Sequence, residues 1–90
     1  MFKTTHILVV GQVQGVFYRD NTKKKASELG LIGYVKNLPD GTVEIVAQGE
    51  ENQLRQLVEW CKGGSPSAKV IKMDVKEIDY QEFKDFRVRY

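Results

Sequence analysis

The sequence has a single cysteine, Cys61, so it can form no internal disulfide and offers no Cys-x-x-Cys pair for a metal or redox site. Its acidic residues lack His or Cys partners at metal-site spacing, so no metal site is read from them. No stretch approaches the roughly 18 consecutive apolar residues of a membrane span. Met1-Phe2-Lys3-Thr4-Thr5-His6 runs directly into a strand-like segment without a signal-peptide pattern, so the expected setting is the cytoplasm. A strong excess of one charge is missing too. Fourteen basic and 12 acidic residues leave a net charge of +2. The pI of about 8.7 is below the value of about 9 common in nucleic-acid-binding domains. Composition therefore favours neither nucleic acid nor membrane, and a cationic pocket for one small anion remains compatible with it. Repeats and low-complexity segments are absent.

What is present suits one modest core. Ninety residues, 41% of them apolar, fit a single domain over residues 1–90, expected to be monomeric. Thr5 to Val13 reads as a central strand, with His6, Leu8 and Val10 on one side and Ile7, Val9, Gly11 and Val13 on the other. A helix follows from Arg19 or Asp20 to Leu29, with Tyr18, Thr22, Ala26 and Leu29 on its apolar stripe and Gly30 at its end. Leu31–Asn37 and Thr42–Gln48 form a hairpin around Leu38-Pro39-Asp40-Gly41, where proline pre-sets one backbone angle and glycine takes the positive one. Val43, Ile45 and Ala47 mark its buried face. A second helix over Glu50–Lys62 places Leu54, Leu57, Val58 and Cys61 on one stripe, and Gly63 ends it. After a loop over Gly63–Ser67, the strand Lys69–Ile78 alternates Ile71, Met73 and Val75 with Lys72, Asp74 and Lys76. Phe86 to Tyr90 is a last short strand. The order β-α-β-β-α-β plus one strand predicts an α+β, ferredoxin-like split-βαβ sandwich, an antiparallel sheet with two helices on one face. That layout hosts unrelated activities, so it decides no function.

The loop entering the first helix carries more chemistry. Helix starts present free N–H groups and partial positive charge. Glycines allow successive amides to turn inward as an anion-binding nest. Arg19 could reach the same anion bidentately, and an arginine at a helix start is electrostatically out of place without one. On geometry alone, Gly15 serves equally as a plain turn and Arg19 as a solvated first-turn residue.

Gly11-Gln12-Val13-Gln14-Gly15-Val16-Phe17-Tyr18-Arg19 resembles the first signature of the acylphosphatase family. Gly33-Tyr34-Val35-Lys36-Asn37, followed by Gly41-Thr42-Val43 and Gly49, is similar to the second, and the likeness extends over nearly the whole chain to the Phe86-x-Val88-x-Tyr90 ending. The resemblance implies hydrolysis of an acyl phosphate to a carboxylate and inorganic phosphate. It implies a phosphoryl group held on the amides of Gln14, Gly15, Val16, Phe17 and Tyr18 and clamped by Arg19. It further implies a nucleophilic water oriented by Asn37, with no metal and no covalent intermediate. Spacing from the turn alone would instead make Asn37 a cap for Pro39-Asp40-Gly41.

Other polar residues read more plainly. His6 is structural, Cys61 a small hydrophobe, Trp60 a boundary residue and Lys23-Lys24-Lys25 a solvated helix face. Asp20, Glu50 and Glu51 complement helix dipoles. The terminal carboxylate, at the end of the last strand, is a candidate to orient Arg19, a contact the sequence leaves open. Two rivals share the layout, an RNA-binding domain and a regulatory small-ligand module. Ile32-Gly33-Tyr34-Val35 lacks the basic residue and further aromatics of an RNA recognition motif, and a ligand module explains neither Arg19 nor Asn37.

Overall fold

The structure, a computed structural model, describes residues 2–90. The chain runs β1 (Phe2–Gln12), α1 (Tyr18–Glu28), β2 (Ile32–Asn37), β3 (Val43–Glu50), α2 (Glu51–Gly63), β4 (Lys69–Ile78) and β5 (Phe86–Arg89). Val43, Ile45 and Ala47 recur at the two-residue period of a strand, and all three are fully buried. They lie on β3, the middle strand of a sheet ordered β4-β1-β3-β2-β5.

The first four strands pair antiparallel, as the alternation and the hairpin imply. β5 joins parallel to β2, with Phe86 opposite Gly33, so the complete sheet is mixed. The path explains this. The chain leaves β4 beside Thr4 and enters β5 beside Gly33, at the same end of the sheet, so β5 must run in the direction of β2. On the way Gln81 N donates to Gln48 Oε1 at 3.2 Å, and the Phe83 ring meets Tyr34 edge-on at 6.1 Å.

The helices share one face. Ile7, Val9, Val35, Val43 and Ile45 of the sheet meet Tyr18 and Ala26 of α1 and Leu54, Leu57 and Cys61 of α2. α2 follows its expected stripe. α1 is poorer, since Tyr18 is the one large side chain it buries, beside Thr22 and Ala26. Full burial of a large apolar side chain stabilises by about 1.5–3 kcal/mol, so α1 is docked chiefly by the residue that also ends the glycine loop.

Two expectations change. Ile71, Met73 and Val75 do not form one covered row: Ile71 is 79% exposed and Val75 47%. β4 is an edge strand, and a register shift at Val10/Gly11 moves the pairing from Lys72 to Val70, leaving Ile71 unpaired. Val70 takes the inward position instead. Nor is Gly63 the residue that caps α2. The helix continues through it, and Gly64, with φ 59°, caps it by donating to Trp60 O at 2.8 Å.

The second sheet face carries a polar group. His6 Nε2 lies 3.1 Å from Glu44 Oε2, and Tyr34 OH donates to Glu44 Oε1 at 3.0 Å. The Arg89 guanidinium stacks 4.1 Å from the Tyr34 ring centroid. His6 therefore has the structural partner its strand position calls for. Among the described residues, no helix is long and apolar enough to cross a membrane.

Candidate active site

Five residues, 13–17, join the end of β1 to the start of α1, and their anchors decide the loop's shape. Val13 is 1% exposed and fastens the entry, while Tyr18, also 1% exposed, fastens the exit. The Tyr18 ring packs 5.8 Å from Trp60 and its hydroxyl donates to Cys61 O at 2.8 Å. Gly64 makes this seat possible, because a Cβ there would run into the Tyr18 ring. Between the anchors, Val16 O accepts from Ser65 Oγ at 2.8 Å. Gln14 Nε2 donates across to Leu38 O and Thr42 O, each at 2.8 Å, lacing the loop to the β2–β3 hairpin.

Gly15 (φ 74°) and Phe17 (φ 62°, ψ 19°) both take left-handed angles. Alternating backbone handedness turns successive N–H groups toward one point, the geometry of an anion nest. The structure gives the main-chain amides of Gly15 to Arg19 no protein acceptor among the described residues. The first amide beyond them with a backbone partner is Asn21 N, bonded to Phe17 O at 3.1 Å. Left-handed Phe17 costs of order 1–3 kcal/mol. Burial of the adjacent Tyr18 is worth a comparable amount, and that offsets the strain.

Arg19 leaves the first turn of α1 and crosses to the last strand. Its Nη1 donates to Arg89 O at 3.2 Å, and its Cζ lies 4.6 Å from the Tyr90 ring centroid. No carboxylate lies within ion-pair distance of it among the described residues. Arg89 and Tyr90 thus hold the guanidinium through a carbonyl and a ring, which answers the question of the terminal carboxylate that the sequence left open.

Asn37 closes β2 opposite Val43. Its Oδ1 is buried and meets no hydrogen-bond donor among the described residues. The turn beside it does not need it: Asp40 Oδ1 accepts from Thr42 N at 3.0 Å and from Thr42 Oγ1 at 2.6 Å. Those bonds hold the exposed Asp40 carboxyl below its ordinary pKa. The capping role that spacing suggested for Asn37 belongs to Asp40.

These parts converge. Val13, Gly15, Phe17, Tyr18, Arg19, Asp20, Asn37 and Tyr90 line one cavity of about 260 Å³. A nest of amides, a guanidinium and a carboxamide therefore share one space. Residues 5–88 match the acylphosphatase family model. The chain belongs to the acylphosphatase family. It is 51% identical over 87 residues to an acylphosphatase of Methylococcus capsulatus, across 96% of this chain and 95% of that one. The solved acylphosphatase of Coxiella burnetii superposes with a TM-score of 0.95 at 46% identity, covering 98% of this chain and 93% of its own. That of Bacillus subtilis gives 0.94 at 42% identity over the whole of both chains. The protein is accordingly a hydrolase.

Within this cavity the motif residues Gly15, Phe17, Tyr18, Arg19 and Asn37 lie together, while the Gln14 side chain and the Val16 carbonyl brace the loop. Sequence reasoning missed Val13, Asp20 and Tyr90 as lining residues. Asp20 had a sufficient explanation in the helix dipole, and Tyr90 showed through the family's ending and its carboxylate, not through its ring. Two other groups are withdrawn from chemistry near neutral pH. Burial pushes the Cys61 thiol up to about 12, and burial and then Cys61 push the Tyr18 phenol upward.

Proposed function

We propose that the chain hydrolyses the carboxyl–phosphate bond of acyl phosphates, releasing a carboxylate and inorganic phosphate. Support comes chiefly from one observation, the meeting of unbonded loop amides, Arg19 and Asn37 around a single cavity. In this reading the amides of Gln14, Gly15, Val16, Phe17 and Tyr18 receive the phosphoryl oxygens. Arg19 neutralises the charge that grows on them. Asn37 accepts a hydrogen bond from the attacking water through its otherwise unpartnered Oδ1.

The chemistry asks for little more. A carboxylate is a good leaving group, so the bridging oxygen needs no strong acid. Phosphoryl transfer depends mainly on positioning and charge stabilisation, which fixed dipoles and a guanidinium supply. A neutral amide orients water without taking its proton. The water oxygen bonds to phosphorus as the bond from phosphorus to the acyl oxygen breaks, and the proton passes to a phosphate oxygen of the substrate. We take the enzyme to act as a cytoplasmic monomer over residues 1–90, without metal, cofactor, nucleic acid or membrane.

The test is hydrolysis of benzoyl phosphate in the presence of a chelator, with inorganic phosphate as competitor. Arg19→Ala is expected to cut kcat by about 10³ and weaken phosphate inhibition, and Asn37→Ala to cut kcat by about 10²–10³ with phosphate inhibition largely retained. Wild-type turnover in both variants would remove the assignments.

A further inference from the structure

The phosphoryl cradle leaves the other half of the substrate unplaced. A phosphoryl group and one water together need roughly 100 Å³, at about 30 Å³ per water-sized volume, whereas the cavity measures about 260 Å³. What borders the remainder is aromatic. Phe17 and Tyr90 both line the cavity, and their residues are 75% and 91% exposed.

Phe17 is the more telling of the two. It is the one non-glycine residue with positive φ among the described residues, and glycine would adopt that angle at lower cost. Its ring gains almost nothing from the fold, being largely in water. A strained position that carries a solvated ring at the mouth of a site contributes little to stability and much to what can bind there. Tyr90 supplies a second aromatic surface on the same cavity independently. Its ring lies 4.6 Å from the Arg19 Cζ, which places a flat apolar wall beside the group that would clamp the phosphoryl oxygens.

We propose that the acyl group of the substrate sits between the rings of Phe17 and Tyr90, so that the enzyme selects acyl phosphates whose acyl part is aromatic or otherwise flat and apolar. The inference rests on the acylphosphatase mechanism proposed above and adds the substrate class. A flat acyl group stacks on one or both rings and removes them from water, and the phosphoryl end remains on the amides. A short acyl group such as acetyl reaches neither ring well. Selectivity then arises from the aromatic pair, whereas catalysis arises from the cradle.

The experiment compares kcat/KM for benzoyl phosphate and acetyl phosphate in the wild-type protein, in Phe17→Gly and in Tyr90→Ala. Glycine keeps the left-handed angle of the loop while deleting the ring. The wild type is expected to prefer benzoyl phosphate by tenfold or more. Each variant should shrink that ratio about tenfold, the scale of one aromatic contact, mainly through a higher KM for benzoyl phosphate. Benzoate should also inhibit the wild type competitively, and the variants less. Damage to the cradle or to Arg19 would slow both substrates together and leave the ratio where it was. A ratio near one in the wild type, or one that neither variant moves, overturns the subsite while the hydrolase mechanism stands. No hydrolysis of either compound overturns the mechanism itself.

Discussion

Gln14 makes the most direct test of how the two halves of the site are aligned. Its side chain is the bridge from the loop to the hairpin that carries Asn37, through bonds of 2.8 Å to Leu38 O and Thr42 O. Both carbonyls have a second donor: Gly41 N reaches Leu38 O at 3.1 Å and Leu38 N reaches Thr42 O at 2.9 Å. Truncation therefore orphans neither acceptor, and the cost is the net value of two bonds without a desolvation penalty. At about 0.5–1.5 kcal/mol per bond, Gln14→Ala should lose roughly 1–3 kcal/mol. A domain of this size shifts its Tm by about 4–8 °C per kcal/mol, so a fall of roughly 4–24 °C is expected. Turnover should suffer more than folding, because a misplacement near 1 Å between nucleophile and electrophile costs about a hundredfold. Gln14→Glu sharpens the test. It has the same shape, but its carboxylate oxygens would face two carbonyl oxygens, so at neutral pH it should be less stable than Gln14→Ala. Those carbonyls raise its carboxyl pKa above the ordinary glutamate value of about 4.3, so the gap should narrow as pH falls toward that value and protonation restores a donor. Urea unfolding and benzoyl phosphate turnover measured on the same samples decide the matter. If Gln14→Ala unfolds at the wild-type midpoint and turns over at the wild-type rate, something else aligns the loop with the hairpin.

Two further outcomes are expected. Gly64→Ala places a Cβ against the Tyr18 ring at a position with φ 59°, and should cost about 2–4 kcal/mol from overpacking and backbone strain together. Its near-ultraviolet circular dichroism should report the displaced tyrosine, and an unchanged urea midpoint would contradict the packing. The third outcome concerns pH. The unfolded Cys61 thiol ionises near about 8.5, whereas the folded thiol holds its proton up to about 12. Above pH 8.5 the unfolded chain thus binds fewer protons than the folded one, and stability falls by about 1.4 kcal/mol per pH unit. Tyr18, likewise raised, adds a second slope above about pH 10. The urea midpoint should be level with respect to these groups below pH 8.5 and decline beyond it, and in Cys61→Ala the decline should begin nearer pH 10. A wild-type midpoint as high at pH 10.5 as at pH 8 would refute the linkage.

Most of the architecture was legible because its signals are local. Val43, Ile45 and Ala47 announce a half-buried strand, and Leu54, Leu57 and Cys61 an amphipathic helix. Each pattern needs only its own segment to be recognised. Ile71 shows where this stops. Its alternation with Lys72 looks like that of any covered strand. Its exposure depends on β4 lying at the sheet edge and on a register shift in its pairing with β1, which no local window contains. The parallel attachment of β5 is similar, since direction was decided by the end of the sheet at which the crossing segment arrives.

The site divides along the same line. Glycine spacing, an arginine at a helix start and the two signatures named Arg19, Asn37 and the loop 14–18, since backbone freedom and charge type belong to individual residues. They left open whether Asn37 capped its turn, and only the bonds from Thr42 to Asp40 removed that role. Nor could they show what holds the guanidinium. Its contacts with Arg89 and Tyr90 lie some 70 residues away in the chain and exist because β5 runs up beside β2. The sequence by itself determined which chemical groups the protein owns and which segments carry them. Only the tertiary structure decided which groups face one another, because that depends on strand order and register rather than on any residue's own preference.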